Sequence, residues 1–533
     1  MKYILLLSIL FTQRLSAQEL NTADNKTISD LKKTIYFLAD DKLEGRRTGT
    51  AGEKLAYEFI ESEFRKTGLL PPGTGQTYLQ EFEVKDGREI QKETTLLING
   101  QLTTINTDFF PLSYSADVKS LKFYTAADYA IAYYDAGNVM QENTANPHFD
   151  LKENIYTEAK KAGLEGKKIF VVYNSSSVKD DISFDAKDKA ERLSIPVIYY
   201  TKQTKLPGGI NISINIKEKN RFGHNVMGYI NNKAENTIIL GAHYDHLGYG
   251  EDHNSLYVGK PAMIHNGADD NASGIAALIE LSKWLKISDL KKYNYAFVAF
   301  SGEELGLYGS KYFADHSPID LKTVNYMLNM DMLGRLNDST HGLNVGGYGT
   351  SPTWSEVIKK EDSFLKIKTD SSGMGPSDQT SFYKKDIPVI YFFTGSHLDY
   401  HKPSDDADKI NFNGEMAVIN YIKNILAATD QKEKLVFTKT RDVSTGKSSF
   451  KVSLGIMPDY TFDGNGVRVD AVIDNRPAQK AGLKAGDVLY QLGDHSFTDV
   501  QTYMDALNKF NKGDGTKVKL RRGNEEMEMD IVF

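Results

Sequence analysis

Five short segments carry side chains that hold metals or move protons: GAHYDHLG (241–248), NGADDNASG (266–274), FSGEELG (300–306), NMDMLG (329–334) and HLDYHKPSDD (397–406). Each has an ordinary structural explanation when taken alone. A His-x-Asp is usually a hydrogen-bonded pair. A Glu-Glu pair after a strand suits the positive end of a helix, and Asp-Asp-Asn ahead of Ala-Ser-Gly is a helix N-cap cluster. Together they form a different inventory. Two metal ions about 3.5–4 Å apart need a bridging carboxylate, further His or carboxylate ligands on each ion, and a base that is not itself a ligand. Two His, a central Asp, another Asp and a Glu-Glu pair supply that set. Cysteine is absent from the chain. Thiolate ligands, a Cys nucleophile, disulfides and lipidation at an N-terminal Cys are therefore excluded.

The segments fall where an α/β sheet would place them. Across 220–430, apolar runs (NVMGYI, NTIILGAHY, YNYAFVAFS, NYMLNMDML, IPVIYFF) alternate with helical patterns such as ASGIAALIELSKWL and NGEMAVINYIKNILAA. Such alternation predicts strands with helices packed on both faces. In these sheets the active site lies beyond the strand C-terminal ends, and the five segments follow those ends. Upstream, an amphipathic pattern over Ile28–Asp40 predicts a helix. Gly45, Gly49 and Gly52 mark a loop, and Ala56, Phe59, Ile60 and Phe64 recur at helical spacing until Gly68 and Pro71-Pro72.

Length and composition set outer bounds. The 533 residues are 40% hydrophobic and 25% charged, which predicts two to four globular domains. A net charge of −7 with no basic run argues against a nucleic-acid partner. Residues 1–17, with Lys2, the apolar run Ile4–Phe11 and Leu15-Ser16-Ala17, read as a signal peptide cut after Ala17. This predicts an exported protein, periplasmic or secreted. The alternative is an uncleaved interfacial anchor. The run is too short to cross a bilayer, and no other segment could form a membrane span.

The five segments, in order and spacing, resemble the co-catalytic zinc aminopeptidases, the family-28 metallopeptidases, over roughly 30–110 and 220–430. The resemblance implies a zinc exopeptidase fold: a mixed, mostly parallel sheet sandwiched by helices. It implies two Zn(2+) per chain and peptide substrates with a free N-terminus. His243 and Asp331 correspond to ligands of one zinc, Glu304 and His401 to ligands of the other, Asp270 to the bridge and Glu303 to the general base. The Asp270–Asn271 bond corresponds to the family's non-proline cis peptide. Asp245 is placed to orient His243, and Ser377 corresponds to a residue that supports the second site. Many relatives carry His where Gln379 stands. His246, His397, Asp399 and Asp269 lie beside the named residues. His265 reads as supporting or structural.

Two further modules are predicted. Residues 111–215, between the two parts of the peptidase domain (25–110 and 216–431), resemble a β-rich protease-associated insert. After a polar linker (432–447), residues 448–533 resemble a PDZ domain. In it, SLGIMPDY would form a loop, with Leu454, Gly455 and Ile456, that takes a peptide C-terminus. Competing readings are a single-zinc glutaminyl cyclase, a carboxypeptidase or endopeptidase on the same scaffold, and a non-catalytic receptor or scaffold.

Overall fold

The computed structural model describes residues 22–533, except 74–76, 145, 147–148, 189, 253, 258, 361, 441–451, 459–461, 463, 473–475, 499 and 524. The expected signal segment lies outside the described residues. Among the described residues no helix is long and apolar enough to cross a membrane.

The large sheet has eight strands. They are β1 (Leu79–Ile90), β2 (Ile216–Ile230), β3 (Thr237–His243), β4 (Asn294–Phe300), β5 (Val324–Met330), β6 (Gly342–Gly346), β7 (Lys366–Thr369) and β8 (Val389–Phe393). Their order is β1-β2-β4-β3-β5-β8-β6-β7. The centre, β4-β3-β5-β8, is parallel. β2 runs antiparallel to both β1 and β4, and β6 runs antiparallel to β8 but parallel to β7. β3, β4 and β5 are buried along their whole length, which is why they read as continuous apolar runs rather than alternating ones. Helices α1 (Thr22–Leu38), α2 (Ala51–Lys66), α3 (Gly274–Ile287) and α4 (Phe412–Asp430) bury their apolar faces in the principal core. The architecture is the expected mixed α/β sandwich.

Gly52 falls inside α2 rather than in a loop, and glycine is needed there because a side chain would collide with the chain that the helix crosses. A Cβ would stand 1.8 Å from the Leu43 carbonyl oxygen.

The inserted unit consists of two four-stranded sheets. One pairs Thr95–Ile98 with Ile210–Ile214, Leu97 standing opposite Asn211. The other pairs Phe109–Pro111 with Val197–Tyr200. The unit therefore begins upstream of residue 111. Its strand Thr95–Ile98 is held by hydrogen bonds to partners more than a hundred residues later, a relation that local pattern does not carry. The expected linker also differs in its first half. Leu435 is buried, its N–H donating to Asn325 Oδ1 at 2.7 Å, and Thr438 N–H donates to the Thr350 carbonyl at 2.8 Å. Residues 441–447 lie outside the described residues. The C-terminal unit has its own sheet and its own core, including Leu454, Val467, Leu489, Val518 and Leu520.

Candidate metal centre

The parallel strands converge on one cluster. His243 ends β3, Glu303 and Glu304 follow β4, and Asp331 follows β5. His401 comes from the loop after β8, and Asp270 from the turn that opens α3. The Asp270–Asn271 peptide is cis. Asn271 fixes this turn: its Nδ2–H donates to the Met330 carbonyl at 2.9 Å, and its Oδ1 accepts the N–H groups of Gly274 and Met332. The end of β5 and the start of α3 are thereby locked together.

Asp270 stands between two groups of donors. Its Oδ1 is 3.3 Å from His243 Nε2, which is 3.4 Å from Asp331 Oδ1. Its Oδ2 is 3.4 Å from His401 Nε2, which is 3.2 Å from Glu304 Oε2. Ligands about 2.0–2.1 Å from a tetrahedral zinc ion lie about 3.3 Å from one another. The spacings match that edge on both sides of Asp270. The centre is also rich in carboxyl groups: Asp270, Asp331, Glu303 and Glu304 meet there, with Asp245 and Asp378 buried behind them. The donor set fits divalent cations.

The neighbours are specific. His246 faces Glu304, its Nδ1 2.7 Å from Oε1, and His246, Asp270 and Glu304 form a potential metal-holding group alongside His243, Asp270 and Asp331. With a proton on Nδ1, His246 orients Glu304. The His243 ring meets the main-chain oxygen of Asp245 (Nδ1 at 3.2 Å) more closely than its carboxylate, 3.8 Å away. That carboxylate instead accepts the Glu303 N–H at 3.1 Å and the Thr48 hydroxyl at 3.0 Å, and burial pushes its pKa up to about 7. Asp245 thus supports the Glu303 segment as well as the histidine. Ser377 accepts from Asn329 Nδ2 at 2.8 Å, and Gln379 Oε1 shares that donor at 3.0 Å. Burial and the surrounding carboxylates hold Glu303 well above the usual carboxylate range. Asp378 is pushed up to about 6, chiefly by burial.

Three supports escape sequence reasoning. Arg46 is fully buried and donates to the carbonyls of Leu38, Tyr244, Asn266 and Gly267 at 2.6–2.9 Å. Asp405 accepts the N–H groups of Asp269 and Asp270. The Asn254 carbonyl receives the His401 ring, Nδ1 at 2.9 Å. The signals were present as Arg-Arg after Gly45 and as Asp-Asp after His401, but their partners are remote in sequence. His397 pairs with Asp269 at 3.2 Å, away from Asp270. Asp399 pairs with Arg335 and Lys409.

Residues 225–426, which contain His243, Asp270, Glu303, Glu304, Asp331 and His401, match the family model described as Peptidase family M28. The chain carries a Peptidase family M28 domain. It is thus a hydrolase of the peptidase class, and its residues 437–532 match a PDZ domain. Aminopeptidase YwaD of Bacillus subtilis is 25% identical over 394 residues, 69% of this chain and 77% of that protein. Leupeptin-inactivating enzyme 1 of Streptomyces exfoliatus is 34% identical over 147 residues, 27% of this chain and 32% of that one. A solved zinc aminopeptidase from Bacillus subtilis shares 21% identity at a TM-score of 0.45, covering 77% of this chain and 98% of its own. In the PDZ domain, Gly455 has φ +75°, Leu454 is fully buried and Ile456 is nearly so.

Proposed function

We propose that this M28 domain is a di-zinc aminopeptidase that removes N-terminal residues from peptides. One observation carries the reading: the two oxygens of Asp270 face separate His-carboxylate pairs at 3.3 and 3.4 Å. His243 and Asp331 would hold one zinc ion, His401 and Glu304 the other, and Asp270 both. Bound there, the ions would supply Lewis acidity and a water acidified toward neutrality. Glu303, placed by the Asp245 carboxylate on its N–H, takes the proton from the attacking water and returns it to the leaving amine. Glu304 is kept in place by His246, and His243 by the Asp245 carbonyl. The carboxylate-rich centre attracts the substrate's α-ammonium group, which favours attack at a free N-terminus. The presence of His243, 3.3 Å from Asp270 and 3.4 Å from Asp331, favours this reading over a single-zinc glutaminyl cyclase.

The same reading includes export with cleavage after Ala17, an insert that shapes access to the centre, and a PDZ loop around Gly455 that takes a peptide C-terminus. N-terminal sequencing of the mature protein tests the first. The central test is a panel of free-amine aminoacyl fluorogenic substrates and their N-acetylated forms, with and without a chelator. Cleavage of free-amine substrates alone, abolished by the chelator, is the expected result. Cleavage of acetylated or internal bonds alone would refute the exopeptidase assignment.

A further inference from the structure

A cluster of charges lies apart from the metal centre, where the inserted unit meets the peptidase domain. Asp252 and Asp86 sit in it, each with its side chain 10% exposed. Arg47 Nε donates to Asp252 Oδ2 at 2.7 Å, and Arg47 Nη2 donates to Asp252 Oδ1 and to Asp86 Oδ1, each at 3.0 Å. Arg221 Nη2 donates to Asp252 Oδ2 at 2.8 Å. Lys187 of the insert reaches Asp252 Oδ1 at 3.0 Å and also pairs with Asp86. Three separate stretches of chain (the loop before α2, β2 and the insert) thus fasten one residue of the loop after β3, and Asp86 of β1 shares their cations.

That loop is built over His401. Two residues past Asp252, the Asn254 carbonyl takes the His401 ring at 2.9 Å, and Asn254 Nδ2 donates to the Glu304 carbonyl at 3.3 Å. Leu256 N–H donates to the His401 carbonyl at 2.9 Å. Ser255 is held by His265, Oγ to Nε2 2.6 Å. His401 has φ +53°, a left-handed backbone that a non-glycine residue keeps only when its surroundings impose it. Asn254 therefore hydrogen-bonds both residues assigned to one cation.

We propose that Asp252 is a positioning residue for the Glu304–His401 cation site, and that Lys187 makes the inserted unit part of that clamp. The inference rests on reading Glu304 and His401 as ligands of one cation. Partly buried charge networks hold geometry that a single exposed pair does not, and partners that orient a ligand commonly change metal affinity by about 10–100-fold when removed.

The test measures zinc stoichiometry and chelator-competed affinity on the full chain, together with melting of the metal-free protein. The variants are Asp252→Ala, Lys187→Met, Lys187→Arg and His401→Ala. Asp252→Ala should weaken one of two bound zinc ions about tenfold or more and leave the other unchanged. Lys187→Met should weaken the same ion by less, and Lys187→Arg should restore it. If Asp252→Ala only lowers the metal-free melting temperature, or weakens both ions equally, the positioning role is overturned. Should Asp252→Ala not fold, equal zinc affinities in Lys187→Met and Lys187→Arg would overturn it. His401→Ala separates the two claims: if it still binds both ions, the ligand assignment itself fails.

Discussion

Glu303 and Glu304 are adjacent and acidic, yet their surroundings give them different tasks. Glu304 is oriented by His246 and faces His401, whereas Glu303 has its N–H held by Asp245 and its carboxyl kept above the ordinary range by burial. Glu303→Gln should lower kcat by at least about a hundredfold, the usual scale for a general base, while zinc stoichiometry stays that of the wild type. A parallel activity assay and metal analysis check this. A second carboxyl makes a different prediction. Glu415 on α4 is fully buried, neither oxygen has a hydrogen-bond partner among the described residues, and burial with nearby Asp269 and Glu280 holds its pKa well above the usual value. The folded state therefore keeps a proton that the unfolded chain releases above about pH 4.3. Stability then falls as pH rises from there toward the folded-state pKa. Glu415→Met should raise the melting temperature at pH 8, by about 1–3 kcal/mol in stability, and the gain should shrink toward pH 5.

At the scale of elements, the segment between α1 and α2 joins the N-terminal helices to the metal-bearing strand ends. Arg46 is its pivot. Burial lowers the guanidinium pKa only to about 10, so the cation persists at neutral pH and satisfies four carbonyls. Arg46→Met would take this donor from the carbonyls of Leu38, Tyr244 and Asn266, while Gly267 keeps the Ala272 N–H at 3.3 Å. The expected cost is about 3 kcal/mol or more, read from urea unfolding. The Asp252 clamp has an acid signature. Burial raises its carboxyl, but the bonds from Arg47 and Arg221 outweigh that and hold it below the usual range. A depressed folded-state pKa gives stability that is present above about pH 3.9 and lost as pH falls below it. Asp252→Asn should be less stable at neutral pH and show a flatter decline below about pH 4 in melting curves.

At the scale of the whole molecule, the PDZ domain and the peptidase domain have separate apolar cores, whereas the insert shares the Asp86–Asp252 cluster with the peptidase domain. The two modules should therefore respond differently to removal. A chain ending after Thr440 keeps the stretch around Leu435 and Thr438 that packs on the peptidase core. It should fold, melt close to the corresponding transition of the full chain, and retain turnover of single-residue fluorogenic substrates within about threefold, since distant sites without shared partners act nearly independently. Loss of folding would show that the PDZ domain supports the peptidase core.

The sequence by itself determined the alternation of strands and helices over 220–430, the order of the chemistry-bearing segments along it and, through the absence of cysteine, the oxygen and nitrogen character of any metal site. Those features are local: strand runs, helix periodicity and residue type are written in neighbouring positions. Only the tertiary structure decided which side chains meet. It set His246 against Glu304, turned the Asp245 carboxylate toward Glu303 and its carbonyl toward His243, buried Arg46 among carbonyls up to 221 residues away, and brought Lys187 to Asp252. It also carried the insert back to Thr95 through pairing with Ile210–Ile214. Each is a contact between stretches remote in the chain, set by the sheet order and the packing of loops over the strand ends, and no periodicity along a single segment encodes it.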